Sequence, residues 1–141
     1  MIDLATLTDA VFRRVASDAE GASVRATLGS GGLSVMMAED LAVLGDSPAL
    51  RDVTPCMALR RQIALPVDRT DYSVSYRWYC YDDPARGFAR LEALPALLAA
   101  AYEGFADGRN LTELEIQIGA QSRDRALGLL LLTVDIVISA V

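Results

Sequence analysis

The side chains able to do chemistry are few, and they are scattered. Two cysteines, Cys56 and Cys80, are the strongest nucleophiles present, but the chain has no histidine and no lysine to activate a thiol. Two carboxylate pairs stand out, Asp82-Asp83 and Glu113 with Glu115. General acid–base work needs such groups held at shifted pKa values beside a partner. Glu113 and Glu115 instead alternate with apolar residues, which places them as neighbours on one solvated strand face. Asp83 precedes Pro84, so that pair reads as a strand end followed by a helix cap. Gly29-Ser30-Gly31-Gly32 resembles a phosphate loop only in composition, because no Lys-Ser/Thr follows and it does not join a strand to a helix. No Cys/His/carboxylate cluster has metal spacing and no nucleophile elbow is present, so neither a catalytic, a cofactor nor a metal site is expected.

The elements that carry these residues are easier to read. Four of the five tyrosines and the single tryptophan fall between Tyr72 and Tyr81. Alternation puts Tyr72, Val74, Tyr76, Trp78 and Cys80 on one apolar face, which predicts a core strand. The other face holds Ser73, Ser75, Arg77, Tyr79 and Tyr81, a mixture better suited to meeting protein than water. Residues 56–65 pair with it as a hairpin across 66–71. Matching the apolar faces aligns Leu65 with Tyr72, Ile63 with Val74, Leu59 with Trp78 and Met57 with Cys80. In that register Cys56 and Cys80 point to opposite faces, so no disulfide is expected and the free thiols suit a reducing compartment.

Upstream, Leu4, Leu7, Val11, Phe12 and Val15 recur at helical spacing with Asp3 as N-cap, and Val24 to Leu28 form a short second helix that Gly29 stops. Residues 29–55 read as a long connection, either a partner-binding or partly ordered loop or a plain surface excursion. Downstream of Pro84, Leu91, Leu94, Leu98, Ala101, Tyr102 and Phe105 mark a helix that Pro95 is expected to kink or to split into 84–93 and 95–105. Two strands close the chain, with Leu114, Ile116 and Ile118 inward on the first. On the second, Leu130, Leu132, Val134, Ile136 and Ile138 point inward and Leu129, Leu131, Thr133, Asp135 and Val137 outward. A turn at 121–125 would set Leu132 opposite Leu114, leaving residues beyond about Asp135 to overhang their partner. The overhang would lie beside residues 56–65 or add to a neighbouring subunit.

The expected fold is therefore α+β over a single domain, residues 1–141, in the order α-α-loop-β-β-α-β-β, with an antiparallel four-stranded sheet and helices packed on one face. At 141 residues the chain can bury a full core without staples. All 13 basic residues are arginine and the net charge is −6, a balance that repels nucleic acid. No apolar run approaches the ~20 residues of a membrane helix and no secretory leader is read, so the default is the cytosol.

The order of elements resembles one family. So do the strand Tyr76-Arg77-Trp78-Tyr79-Cys80-Tyr81 running into Asp82-Asp83-Pro84-Ala85-Arg86-Gly87, and the closing Gly119, Arg123-Asp124 and Ala126-Leu127-Gly128-Leu129. The family is the tail terminator, or tail completion, proteins of long-tailed bacteriophages. The resemblance implies a structural virion protein, not an enzyme. Its subunits would form a homo-hexameric ring at the head-proximal end of the tail, after assembly in the host cytoplasm. The ring would cap the tail tube protein, join the tail to the head completion or connector protein, and let DNA pass without specific binding. Two expectations follow from that role. The lumen is acidic, supplied by some of Glu39, Asp40, Asp107, Glu113, Glu115 and Asp135. The second sheet face, with Arg77, Tyr79, Tyr81, Leu129, Leu131 and Val137, is an interface covered by a neighbouring subunit or by a terminal segment. The rival classes are a small cytosolic ferredoxin-like enzyme and an adaptor domain.

Overall fold

The computed structural model describes residues 4–29, 34–44, 54–66, 72–105 and 112–140. Over these residues the chain is α+β, built on one open five-stranded sheet. Helices α1 (Leu4–Ala16) and α2 (Ala22–Leu28) come first. They are followed by strand β1 (Val35–Met37), helix α3 (Ala38–Leu44) and the hairpin β2 (Cys56–Pro66) and β3 (Tyr72–Asp82). Helix α4 (Ala89–Ala101) and the hairpin β4 (Thr112–Asp124) and β5 (Leu129–Ala140) complete the order.

The strands lie side by side as β1-β2-β3-β5-β4. All neighbours are antiparallel except β1, which runs parallel to β2. The sheet is thus mixed and five-stranded where an antiparallel four-stranded one was expected. The difference arises inside 29–55, which holds β1 and α3. Val35-Met36-Met37 is too short a run for alternation to show, and its three backbone pairs with Met57, Ala58 and Leu59 supply the order instead.

The main core lies between the sheet and α1, α2 and α4. Val74, Tyr76, Trp78 and Cys80 of β3 are fully buried, as their alternation predicts, with Val134, Ile136 and Ile138 of β5 beside them. Leu7, Val11 and Val15 of α1 and Leu91, Leu94 and Leu98 of α4 cover them. Fixed polar contacts set the layer. The Tyr102 hydroxyl donates to the Val11 carbonyl at 2.6 Å and accepts the Trp78 indole N–H at 3.1 Å, joining α4, α1 and β3. Arg25 donates to the carbonyls of Val15, in the last turn of α1, and of Asp18 just beyond it, at 2.8 and 2.9 Å, tying α2 to the end of α1.

A second, smaller cluster sits on the opposite face, where Leu41 of α3 and Met36 join Cys56, Ala58, Tyr81 and Leu129. Helices therefore pack on both faces, not one. The expectation failed because α3 was hidden in the unread connection.

Two registers differ from the face-matching argument for the same physical reason, a bulge. Met57 pairs with Cys80 and Leu59 with Trp78 as expected, but the ladder shifts between Arg61 and Ile63. Ile63 then pairs with Ser75 and Leu65 with Ser73. In the last hairpin the shift falls between Ile118 and Gln121, so the polar run Gln121 to Asp124 continues the strand, and the turn comes at 125–128. Asp124 closes that turn by accepting the Leu127 and Gly128 amides at 3.0 and 2.8 Å, and Gly128 takes the left-handed φ of 68° the turn needs. Leu114 consequently faces Ile138, and β5 is paired along its whole length with β4 on one side and β3 on the other. The expected overhang does not exist.

Asp83 accepts the Ala85 amide at 2.9 Å with Pro84 behind it, as the cap reading predicts, but what it starts is a single turn, Pro84–Arg86. Gly87, at φ 68°, ends that turn, and α4 begins at Ala89 and runs through Pro95 as one helix. Pro95 is buried within this helix.

Candidate functional site

Helix α4 is apolar on nearly all sides. Leu91, Leu94, Leu98 and Ala101 face the core, while Ala93, Ala96, Ala99 and Ala100 are exposed. A helix with little polar face is normally enclosed on more than one side. The helix layer stops at α4, however, and β4 lies beyond it at the sheet edge. The inward residues of β4 consequently have a floor position but no cover. Leu114 and Ile116 are half-buried, and Ile118 is 65% exposed, the one large apolar side chain so exposed among the described residues.

The result is a groove of about 510 Å³ walled by Pro95, Ala96 and Ala99 and floored by Ile116, Ile118 and Leu132. It continues into a hollow of about 580 Å³ that shares Ala99 and Ile116 and reaches Leu114, Tyr102 and Phe105. Glu92 stands at one end, accepting the Gln121 amide at 2.7 Å, and Glu103 stands at the other. Gly119 keeps the strand low here. A side chain at that position would lie 3.0 Å from the Thr133 carbonyl oxygen and closer still to its hydroxyl. The groove is thus an apolar trough with carboxylates at its ends.

The residues expected as an interface divide into two groups. Tyr81 and Leu129 are 5% and 2% exposed and belong to the cluster under α3. An internal segment, not a terminal one, covers that part of the face. Arg77, Tyr79, Leu131 and Val137 remain half-buried. Arg77 forms a forked pair with Asp135, at 2.6 and 3.1 Å, and its guanidinium lies 6.0 Å from the centre of the Tyr79 ring. The hydrogen bond to Asp135 is the main reason its pKa is raised. Tyr79 accepts a hydrogen bond from the Gln62 amide at 3.0 Å.

The acidic candidates are not brought together within one chain. Glu39 and Asp40 are exposed in the first turn of α3 near the β1 edge, whereas Glu115 is exposed on β4 at the other edge. Asp135 is neutralised by Arg77. Glu113 lies on β4 with its backbone paired to Ser139, and Asp107 falls outside the described residues.

Both cysteines are free and buried. Burial, with a contribution from Asp82, pushes the Cys56 thiol up to about 12, and burial raises Cys80 as well. Neither is a thiolate near neutral pH. Asp82, which the sequence reading treated only as a strand end, is fully buried. One oxygen accepts the Asp83 amide at 2.8 Å and lies 3.5 Å from Arg86, while Oδ2 has no partner among the described residues. Among the described residues no group of three or more His, Cys, Asp or Glu could hold a metal ion, and no helix is long and apolar enough to cross a membrane.

The groove itself escaped the sequence reading, although one signal for it was present: the alanine-rich outer face of α4. Comparison with protein-family models, with curated proteins and with solved structures found no match to this chain.

Proposed function

We propose that the chain is a structural virion subunit of the tail terminator type, not an enzyme. In this reading six copies form a ring on the head-proximal end of a bacteriophage tail. The ring caps the tail tube, meets the head connector and lets DNA pass unbound. The observation that carries the proposal is the uncovered groove between α4 and β4, with Ile118 exposed at its floor. An open strand edge beside an apolar groove offers a surface that another chain can complete. The observed order also retains the α-α and β-β-α-β-β frame on which the resemblance rests. A net charge of −6 suits a ring whose bore must not grip DNA.

A small enzyme or adaptor domain would use the same groove for a ligand or peptide and remain a monomer or a two-fold dimer. Mass measurement in solution with negative-stain imaging separates the readings. The expected result is a six-fold ring, formed by the protein alone or on addition of tail tubes. A monomer or dimer under both conditions would overturn the proposal.

A further inference from the structure

We infer that the groove between α4 and β4 is a docking site for an extended segment of a partner protein, one with apolar side chains at alternate positions and a basic residue at each end. The ring reading leaves the occupant of the groove open, and this docking does not depend on the ring.

Strand β4 supplies the backbone. It is the outermost strand, paired with β5 on one side only. From Thr112 to Ile118 its ladder with β5 is regular, and the register then shifts before Gln121. An open edge of this length can be joined by an extended segment through main-chain hydrogen bonds, and the side chains of that segment then alternate between the two sheet faces. The bulge after Ile118 marks where such a ladder ends.

The helix face of that edge is apolar. Ile116, Ile118 and Leu132 form the floor, and α4 turns only Pro95, Ala96 and Ala99 toward them. Short side chains on the wall leave room for branched ones on the guest. Every second side chain of an added strand enters this trough and covers Ile118, which is otherwise 65% exposed.

The ends of the trough select charge. Glu92 and Glu103 are exposed, stand about 16 Å apart along α4 and make no ion pair among the described residues. Glu92 accepts the Gln121 amide, which closes that end. Arg14, which donates to the Glu103 carbonyl, is already paired with Glu20, and Arg123, beyond Gln121 on the same face, pairs with neither glutamate. On the opposite sheet face Glu115 is exposed beside Gln117. An acidic strand would add like charge to this edge. A strand with arginine or lysine beyond its apolar row meets a carboxylate at each end, within reach of such long side chains.

The test uses a labelled peptide, Arg-Thr-Val-Thr-Val-Thr-Val-Thr-Arg, whose palindromic order makes it indifferent to strand direction. Fluorescence anisotropy is expected to show saturable binding, and amide hydrogen exchange is expected to slow at residues 112–118. The same peptide with glutamate at both ends is expected to bind at least about tenfold more weakly. Proline in place of its two central non-terminal threonines is expected to abolish binding, because the ladder is lost while charge and valines remain. Ile118→Ser is expected to weaken binding at least about fivefold. The double variant Glu92→Gln with Glu103→Gln is expected to stop distinguishing the two peptide charges. No binding, equal binding of both charges by the parent, binding of the proline peptide, or protection elsewhere than residues 112–118 would overturn the proposal. Self-association that protects those amides and excludes the peptide would assign the groove to a second copy and also overturn it. Rings without peptide binding, or binding without rings, separate this docking from the ring reading.

Discussion

Tyr102 shows how much one hydroxyl can hold. It satisfies the Val11 carbonyl and the Trp78 indole inside the core, and burial raises its own pKa. Tyr102→Phe leaves the Trp78 indole N–H without its partner in a dry site and takes one donor from the Val11 carbonyl, and the expected loss is about 1–3 kcal/mol in chemical denaturation. The cysteines give a second expectation at this scale. The Cys56 thiol titrates at about 12 in the fold against an ordinary value of 9.0, and Cys80 is shifted the same way. Above pH 9 the unfolded chain releases these protons while the folded chain keeps them. Stability is thus full below pH 9 and falls as pH rises toward 12, on the order of 1 kcal/mol per pH unit for each thiol. Thermal melts across that range check the sign. A Cys56→Ala variant flattens the slope, and a slope unchanged by it would refute the assignment.

At the scale of elements, glycine placement is the sharpest constraint. Gly21 lies where α1 turns back into α2, and a Cβ there would stand 2.6 Å from the Val15 carbonyl oxygen and 2.7 Å from its Cα. These are backbone atoms, so Gly21→Ala must push α1 off the sheet. A loss of about 1–3 kcal/mol and a visibly lower melting temperature are expected. Ile118→Ser acts in the opposite manner. Being 65% exposed, the side chain contributes little to the fold, so the melting temperature is expected to hold while assembly weakens in sedimentation. The elements themselves were largely legible, because α1, α2, the aromatic strand and the inward rows of the last hairpin each repeat one period over many residues. What could not be read was short or shifted. β1 has three residues, α3 seven, and the bulges at Gln62 and Gly119-Ala120 exchange the faces that alternation assumes fixed. The groove was illegible for a different reason. Periodicity tells which side of β4 is apolar but not whether a helix reaches far enough to cover it.

For the whole molecule, the distribution of charge decides what passes by and what sticks. With Arg77 and Asp135 cancelling each other, the exposed carboxylates of α3 and of Glu115 lie near opposite sheet edges. They could form one acidic ring only across subunits. In the proposed assembly the bore is expected to be net negative, and reversing Glu39 and Asp40 to arginine is expected to create salt-sensitive DNA binding that the parent lacks. Gel-shift assays at low and high salt would show it, and binding by the parent would count against the acidic bore.

Trp78 is the only tryptophan, is fully buried at the sheet centre, lies 6.3 Å from the Phe12 ring and has its indole hydrogen-bonded to Tyr102. The chain therefore carries a built-in optical reporter of its own interior. Its emission registers loss of the core and is expected to stay quiet in the proposed association of subunits, so fluorescence would separate unfolding from assembly in a single cuvette.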